Sequence, residues 1–210
     1  TNLSIESNIG RKLKAVVASA PEYVKISVSG YTQSVYGQTH QGGSISLVKS
    51  NLHLLRYYLN QQDNCSTLVD INYHLYKNNS EGELEKFRTL AEELGFIIST
   101  TDSLLMPTER VIDMIDGFPD EEATRLDNDL FLLPTLKSIE ISAMNTDPVK
   151  ECPFAANQLN INSDLTVPVC CTVFDRDGTI VSSNFLEDNL ADIMKRKSQV
   201  KICKRCISER

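Results

Sequence analysis

The chain has 210 residues, of which 41% are hydrophobic and 23% charged, and its formal net charge is −7. This composition suits one large domain or a domain with a small appendage, and it argues against global disorder. Basic blocks occur only near the C-terminus, at Lys195–Lys197 and Lys201–Arg205. We therefore expect no nucleic-acid partner, because phosphate binding needs a concentrated basic surface.

The sequence shows no sign of a membrane segment. No stretch approaches the roughly 20 apolar residues that span a bilayer, and no apolar signal segment precedes Ser4. These features predict a cytoplasmic protein without a membrane partner. In such a reducing compartment, clustered thiols are expected to bind metal rather than to form disulfides.

The first hundred residues predict alternating strands and helices. Strands are expected at Leu3–Glu6, Tyr23–Gly30, Thr67–Tyr76 and Phe96–Thr100, with helices at Ile9–Ala20, Ser46–Asn60 and Ser80–Leu94 and a loop at Tyr31–Gly43. Ser80 is placed to cap the last helix and Gly95 to end it. Right-handed crossovers would turn this order into a parallel sheet with helices outside it.

One edge of such a sheet is a candidate ligand site. Loops and strand carboxyl ends meet there, and ligands usually bind at that edge. Polar residues end the expected strands, with Ser27 and Ser29 in one and the Asn78–Asn79 pair after another.

The remainder of the chain predicts helices and then a small, different module. Helices are expected from Leu104 to Ile115 and from Glu121 to Ser142, with an interruption near Pro134. Then follow a hairpin at Leu159–Val169, a strand at Thr179–Val181 and a helix at Asn184–Arg196. Because this module has little core of its own, a bound metal would stabilise it.

Five of the six cysteines lie after residue 150, with the spacing C-x17-C-C-x31-C-x2-C from Cys152 to Cys206. Four thiolates suit either zinc or an iron–sulfur cluster. Cys170 and Cys171 should point to opposite sides of an extended strand, so only one of them is expected to be a ligand. The nearby basic residues would offset the negative charge of such a centre.

The cysteine pattern resembles the auxiliary-cluster module of radical S-adenosylmethionine enzymes, known as SPASM or twitch. The resemblance rests on Cys152-Pro153-Phe154, the hairpin, Cys170-Cys171 and the closing Cys203-x2-Cys206. It implies that Cys152, Cys170, Cys203 and Cys206 hold one auxiliary 4Fe–4S cluster. The alternative is a non-catalytic interaction module stabilised by zinc.

Residues 24–44 and 67–79, together with Glu93–Phe96, resemble later strands of the partial barrel of the same family. The implied fold is α/β: the C-terminal part of a partial (β/α)6 TIM-like barrel with parallel strands, then a cysteine-rich module of hairpin and helix. The implied domains are the barrel at 1–118, a connecting helical segment at 119–149 and the cluster module at 150–210.

The resemblance also implies cofactor contacts and partners. The serine that matches Ser27 commonly contacts S-adenosylmethionine, and Gln41 stands where the family often has an arginine near the cofactor carboxylate. Asn72, expected to face the barrel interior, and Asn79 are further candidates. The implied partners are a peptide, sugar or other small-molecule substrate and an electron donor such as a flavodoxin or ferredoxin.

One departure from the family concerns its catalytic cluster. The family binds that second 4Fe–4S cluster through a C-x3-C-x2-C motif, which these 210 residues do not contain. We expect the chain to be the C-terminal portion of a longer enzyme, unable by itself to cleave S-adenosylmethionine.

Overall fold

A computed structural model describes residues 3–4, 7–63, 66–79, 82–145, 152, 154 and 157–208. The chain divides into two compact units, the first comprising residues 1–103 and 130–132 and the second residues 104–129 and 133–210. The division at Ser103 comes before the expected domain boundary at residue 118. Most of the expected connecting segment, residues 119–149, belongs to the second unit.

The first unit is an α/β structure built on a three-stranded parallel sheet. Its elements are α1 (Ile9–Ala18), β1 (Tyr23–Val28), α2 (Gln33–Thr39), α3 (Ile45–Asn60), β2 (Leu68–Leu75), α4 (Glu83–Leu94) and β3 (Ile97–Asp102). The strands are hydrogen-bonded in the order β1-β2-β3. The described residues do not close this sheet into a barrel.

The two faces of this sheet differ in character. Ile26, Ile71 and Tyr73 are fully buried, and they share one core with Leu52 of α3 and Phe87 of α4. Because side chains alternate across a strand, the residues between them lie on the other face. That face is polar, with Ser27, Asn72 and Ser99 paired across the three strands.

The first strand and the first loop differ from the expectation. Leu3 and Ser4 are not in a strand, and Leu3 has φ of 55°, outside the strand region; Ile5 and Glu6 lie outside the described residues. The expected loop Tyr31–Gly43 contains the helix α2. The fully buried Tyr36 explains it, because packing one large side chain outweighs the weak helix propensity of Gly37.

The end of α4 is as expected, but the helix begins at Glu83, with Gly82 as its N-cap and no side-chain cap hydrogen bond, rather than at Ser80. Gly95 ends α4 with φ of 61°, in the left-handed region, which confirms its expected role. The expected cap Ser80 lies outside the described residues.

The second unit contains five helices and a two-stranded antiparallel sheet in its described residues. They are α5 (Thr108–Ile115), α6 (Glu121–Asp129), α7 (Thr135–Asn145), β4 (Val167–Pro168), β5 (Ile180–Ser182), α8 (Leu190–Lys197) and α9 (Lys201–Ser208). Its buried apolar cluster comprises Val167, Val169, Val173, Val181 and Ile193. The break between α6 and α7 falls beside Pro134, as expected.

The hairpin expected at Leu159–Val169 is wrong. Leu159–Ile161 form no strand, and β4 pairs instead with β5. Asp164 accepts hydrogen bonds from the backbone N–H of Thr166, at 3.1 Å, and from its hydroxyl, at 2.6 Å. Such local bonds compete with strand pairing, whereas pairing β4 with β5 buries valines of both segments in one core.

The C-terminal helices also differ from the sequence prediction. The helix expected at Asn184–Arg196 begins only at Leu190, where the side chain of Asn189 accepts a hydrogen bond from the backbone N–H of Ala191 at 2.8 Å. A further helix, α9, carries both Cys203 and Cys206. Within the described residues, no helix has the length and apolarity that crossing a membrane requires.

Candidate metal centre

Four cysteines from three separate segments of the second unit line one cavity of about 420 Å³. Cys152 lies between α7 and β4, Cys170 follows β4, and Cys203 and Cys206 lie on α9. The two on α9 are three residues apart, which places them on one side of the helix. None of these four forms a disulfide.

The rest of the cavity wall is mainly apolar. Its lining includes Leu105, Val111, Ile112, Val169 and Ile202. Apolar walls exclude water and lower the local dielectric, so charges near the cavity interact more strongly than they would at the surface.

The two adjacent cysteines lie in different surroundings. Cys170 lines the cavity together with Cys152, Cys203 and Cys206, whereas Cys171 is exposed and does not line it. The strand β4 ends at Pro168, and Cys171 lies in the turn that follows Cys170, which accounts for the different surroundings. Of the adjacent pair, only Cys170 is placed to join the other three.

The sulfur of Cys170 has a hydroxyl neighbour. Thr172 Oγ1 lies 3.2 Å from Cys170 Sγ and receives a hydrogen bond of 2.8 Å from Thr108 Oγ1. The backbone N–H of Thr108 also donates to the carbonyl of Thr172, at 2.7 Å. These bonds connect the first residue of α5 to the segment that carries Cys170.

The thiols act on one another electrostatically. Burial, together with Cys170, Cys152 and Cys206, raises the pKa of Cys203 to about 11, while Lys197 acts to lower it. Cys203 therefore favours its neutral form at neutral pH. Ionising several of the thiols together requires a positive charge among them, and a metal ion or cluster supplies such a charge.

The described residues do not contain a preformed coordination site. Among them, no group of three or more His, Cys, Asp or Glu side chains is arranged to hold a metal ion. In donor chemistry the four soft sulfur ligands and the apolar wall suit an iron–sulfur cluster or zinc. In small modules the binding of metal is itself part of folding and brings the ligands together.

In the first unit, two of the expected cofactor residues lie side by side on the polar face of the sheet. Ser27 of β1 is paired in register with Asn72 of β2, which is paired with Ser99 of β3. The amide nitrogen of Asn72 donates hydrogen bonds of 2.9 Å to Ser99 Oγ and to Thr101 Oγ1. Neither Ser99 nor Thr101 was expected at this site, although alternation within β3 places both on this face.

The other two expected cofactor residues lie in different places. Gln41 lies in an exposed turn after α2. Asn79 is buried, and its amide nitrogen donates to the carbonyls of Ser29, at 2.6 Å, and His74, at 2.9 Å. Its amide oxygen accepts from the backbone N–H of Tyr76, at 2.7 Å. Asn79 therefore connects the end of β1 to the end of β2.

Two histidines near the same polar face are held in the neutral form. Burial lowers the pKa of His40, and His74 lowers it further; burial and then Lys25 lower the pKa of His74. His74 Nε2 lies 3.0 Å from Asn72 Oδ1, which can only accept, so Nε2 carries the proton. His40 Nδ1 lies 2.8 Å from Ser29 Oγ.

Lys197 is fully buried, and its charge acts electrostatically on Cys203. From the sequence, Lys197 was expected only to be part of a basic tail. A signal was present, because Lys197 follows Ile193 by four residues and such residues share one face of a helix.

Comparisons of the chain with models of protein families, with curated proteins and with solved structures found no match. What the chain does must therefore be inferred from its own residues.

Proposed function

We propose that the chain is part of a radical S-adenosylmethionine enzyme whose second unit holds an auxiliary 4Fe–4S cluster. Cys152, Cys170, Cys203 and Cys206 are the ligands in this proposal. The observation that carries it is that these four cysteines, from three segments of the chain, line one apolar cavity, whereas Cys171 does not.

When bound, a cluster of this kind supplies one-electron transfer. The protein's part is to provide four thiolates, to surround them with apolar side chains and to keep water away. Since four protein ligands leave no iron site open for a substrate, transfer of an electron or a structural role is expected, rather than direct binding of substrate.

The first unit supports the same assignment at the level of fold. One face of the parallel sheet packs on helices, and the other carries polar residues, namely Ser27, Ser99 and the buried Asn72. A polar inner face is what a partial TIM-like barrel needs to bind a cofactor such as S-adenosylmethionine. In this proposal Ser27 and Asn72 contact that cofactor, with Gln41 and Asn79 close to it.

We assign to these residues only the auxiliary-cluster part of such an enzyme. The C-x3-C-x2-C motif for the catalytic cluster is not among these residues, so we do not propose that they cleave S-adenosylmethionine alone. The substrate would be a peptide, a sugar or another small molecule, and a flavodoxin or ferredoxin would donate electrons.

The test is anaerobic reconstitution of the chain with iron and sulfide, followed by iron and sulfide analysis and electron paramagnetic resonance of the reduced sample. We expect one 4Fe–4S cluster per chain. Cys152→Ser, Cys170→Ser, Cys203→Ser and Cys206→Ser should each lose most of the iron. Cys171→Ser is the matched control, because it removes the adjacent thiol, and it should retain the cluster.

Two results would contradict the proposal. In the first, Cys171→Ser abolishes the cluster while Cys170→Ser retains it, which would show a different ligand set. Alternatively, the chain could bind stoichiometric zinc and take up no iron, which would support the non-catalytic zinc-stabilised module instead.

A further inference from the structure

Lys197 is a lysine whose side chain is completely buried, with 0% of its surface exposed. It lies at the end of α8, one turn beyond Ile193, which is also fully buried in the core of the second unit. A buried ammonium group is costly unless it is paired or hydrogen-bonded. The free-energy cost of burying the Lys197 ammonium group must therefore be offset by hydrogen bonds or by negative charges.

Hydrogen bonds to two backbone carbonyls offset part of the cost of burying Lys197. Lys197 Nζ donates to the carbonyl of Phe154, at 3.0 Å, and to the carbonyl of Gln158. Both carbonyls belong to the segment that follows Cys152. The side chain of Lys197 thus connects α8 to the part of the chain that carries one of the four cavity cysteines.

The negative charges of the cysteines, when these are ionised, offset the remaining cost of burying the Lys197 ammonium group. Burial lowers the pKa of Lys197, whereas the charges of Cys170, Cys203 and Cys152 act to raise it. Four thiolates around Zn²⁺, or around a 4Fe–4S core of charge 2+, leave a net charge of about −2. In an apolar surrounding that excess needs a nearby positive charge.

The other basic residues of α8 and α9 are not fully buried, unlike Lys197. Lys195, Lys201 and Lys204 are exposed, where solvent screens their charge. Arg196 is paired with Asp188, at 2.6 Å, and Arg205 with Asp116. Lys197 differs from all five in being fully buried.

We propose that Lys197 is the buried counter-cation of the cysteine centre. Its charge stabilises the ionised, metal-bound form of Cys152, Cys170, Cys203 and Cys206 and favours the reduced form of a bound cluster. This inference rests on the proposed function to the extent that the four cysteines hold a metal, and it applies to iron and zinc alike.

The test compares Lys197→Gln, Lys197→Arg and Lys195→Gln with the unchanged chain. Glutamine retains a hydrogen-bond donor but removes the charge, arginine retains the charge, and Lys195→Gln removes the same charge from an exposed position of α8. Zinc affinity is measured by competition with a chelator, and the midpoint potential of the reconstituted cluster by a redox titration followed by electron paramagnetic resonance.

We expect Lys197→Gln to weaken zinc binding about tenfold or more, because an unscreened charge is lost. The same variant should shift the ratio of reduced to oxidised cluster toward the oxidised form about tenfold, or about 59 mV for a one-electron couple. Lys195→Gln should leave both quantities close to those of the unchanged chain. A merely structural lysine would not move the potential.

The outcomes separate this inference from the proposed function. If the unchanged chain binds metal and Lys197→Gln matches Lys195→Gln in affinity and potential, the counter-cation role is wrong and the metal centre stands. If the unchanged chain binds neither iron nor zinc, the proposed function fails and this inference with it. If Lys197→Gln does not fold, the result for Lys197→Arg is decisive. An unchanged midpoint potential of the cluster in Lys197→Arg supports the counter-cation role, and loss of the metal in that variant overturns it.

Discussion

Glu83 is a nearly buried carboxylate, 8% exposed, that holds a loop by its backbone. Its Oε2 accepts hydrogen bonds of 2.8 Å from the backbone N–H groups of Tyr31 and Thr32, and its Oε1 lies 3.1 Å from Lys86 Nζ. Burial acts to raise the pKa of Glu83, but the hydrogen bonds from Thr32, Lys86 and Tyr31 outweigh it, so the pKa is lowered. The ionised form therefore stabilises the connection between α4 and the segment after β1.

Glu83→Gln should lower the free energy of unfolding by about 1.5–3 kcal/mol at neutral pH, the usual range for hydrogen bonds to a charged group. Because the folded pKa is lowered, this contribution is present above the ordinary glutamate pKa of about 4.3 and is lost as the pH falls through the folded pKa. Urea unfolding at neutral pH and at a series of lower values down to about pH 2 measures it.

The control is Glu85→Gln on the same helix, where the glutamate is exposed and pairs with Arg88 at 3.3 Å. Such surface pairs contribute about 0–1 kcal/mol. An effect of Glu83→Gln that is no larger than that of Glu85→Gln, or that does not decrease at low pH, would contradict the assigned role.

At the level of elements, the turn from α4 into β3 depends on a glycine. Gly95 has φ of 61°, a conformation that costs other residues about 1–2 kcal/mol. A Cβ at this position would also lie 3.3 Å from Arg56 Nη2, and that group donates to the carbonyl of Gly95, at 2.8 Å. The helix therefore ends at Gly95 because the backbone there is left-handed and because Arg56 packs where a side chain would lie.

Gly95→Ala should lower the free energy of unfolding by about 1–2 kcal/mol because of the left-handed φ. Gly37→Ala is the matched control, since Gly37 lies within α2 and alanine there should stabilise the helix by about 0.5–1 kcal/mol. Urea unfolding of both variants checks the opposite signs. Equal effects of the two substitutions would show that backbone conformation does not decide the end of α4.

At the level of the whole molecule, the two units differ in how their cores are built. The first unit buries one continuous apolar cluster that includes residues of α1, α3, α4 and the sheet, such as Val17, Leu55 and Ile71. Among the described residues of the second unit, a buried cluster of five residues is accompanied by the cavity that the four cysteines line. A metal centre would therefore contribute much more to the stability of the second unit than to that of the first.

Removal of iron from the reconstituted chain should accordingly have a local effect. We expect backbone amides of β4, α8 and α9 to exchange with deuterium faster after chelation, because ligand binding and folding of this unit are coupled. Amides of β1, β2 and β3 serve as the control in the same sample and should not change. Faster exchange throughout both units, or in neither, would be inconsistent with a centre that stabilises the second unit.

Several parts of the fold follow from neighbours along the chain. The alternation in Tyr23–Val28 predicts a strand, the stripe of leucines in Ile45–Asn60 predicts a helix, and Gly95 predicts where a helix ends. Such patterns are local, because the periods of 2.0 and 3.6 residues and the permissive backbone of glycine act over a few residues. Leu3 and Ser4 do not form the expected strand, because the left-handed φ of Leu3 depends on the packed structure. The loop expected to extend to Gly43 contains α2 because Tyr36 is buried, which also depends on packing.

The sequence by itself determined the alternation of β1, β2 and β3 with the helices α3 and α4 and the concentration of cysteines near the C-terminus, since both are properties of residues close together in the chain. Only the tertiary structure decided that Cys170 rather than Cys171 lines the cavity, that β4 pairs with β5, and that Lys197 is the buried cation. Each of these depends on which distant segments pack together, and packing is selected by burial and hydrogen bonding across the whole unit rather than by any local pattern.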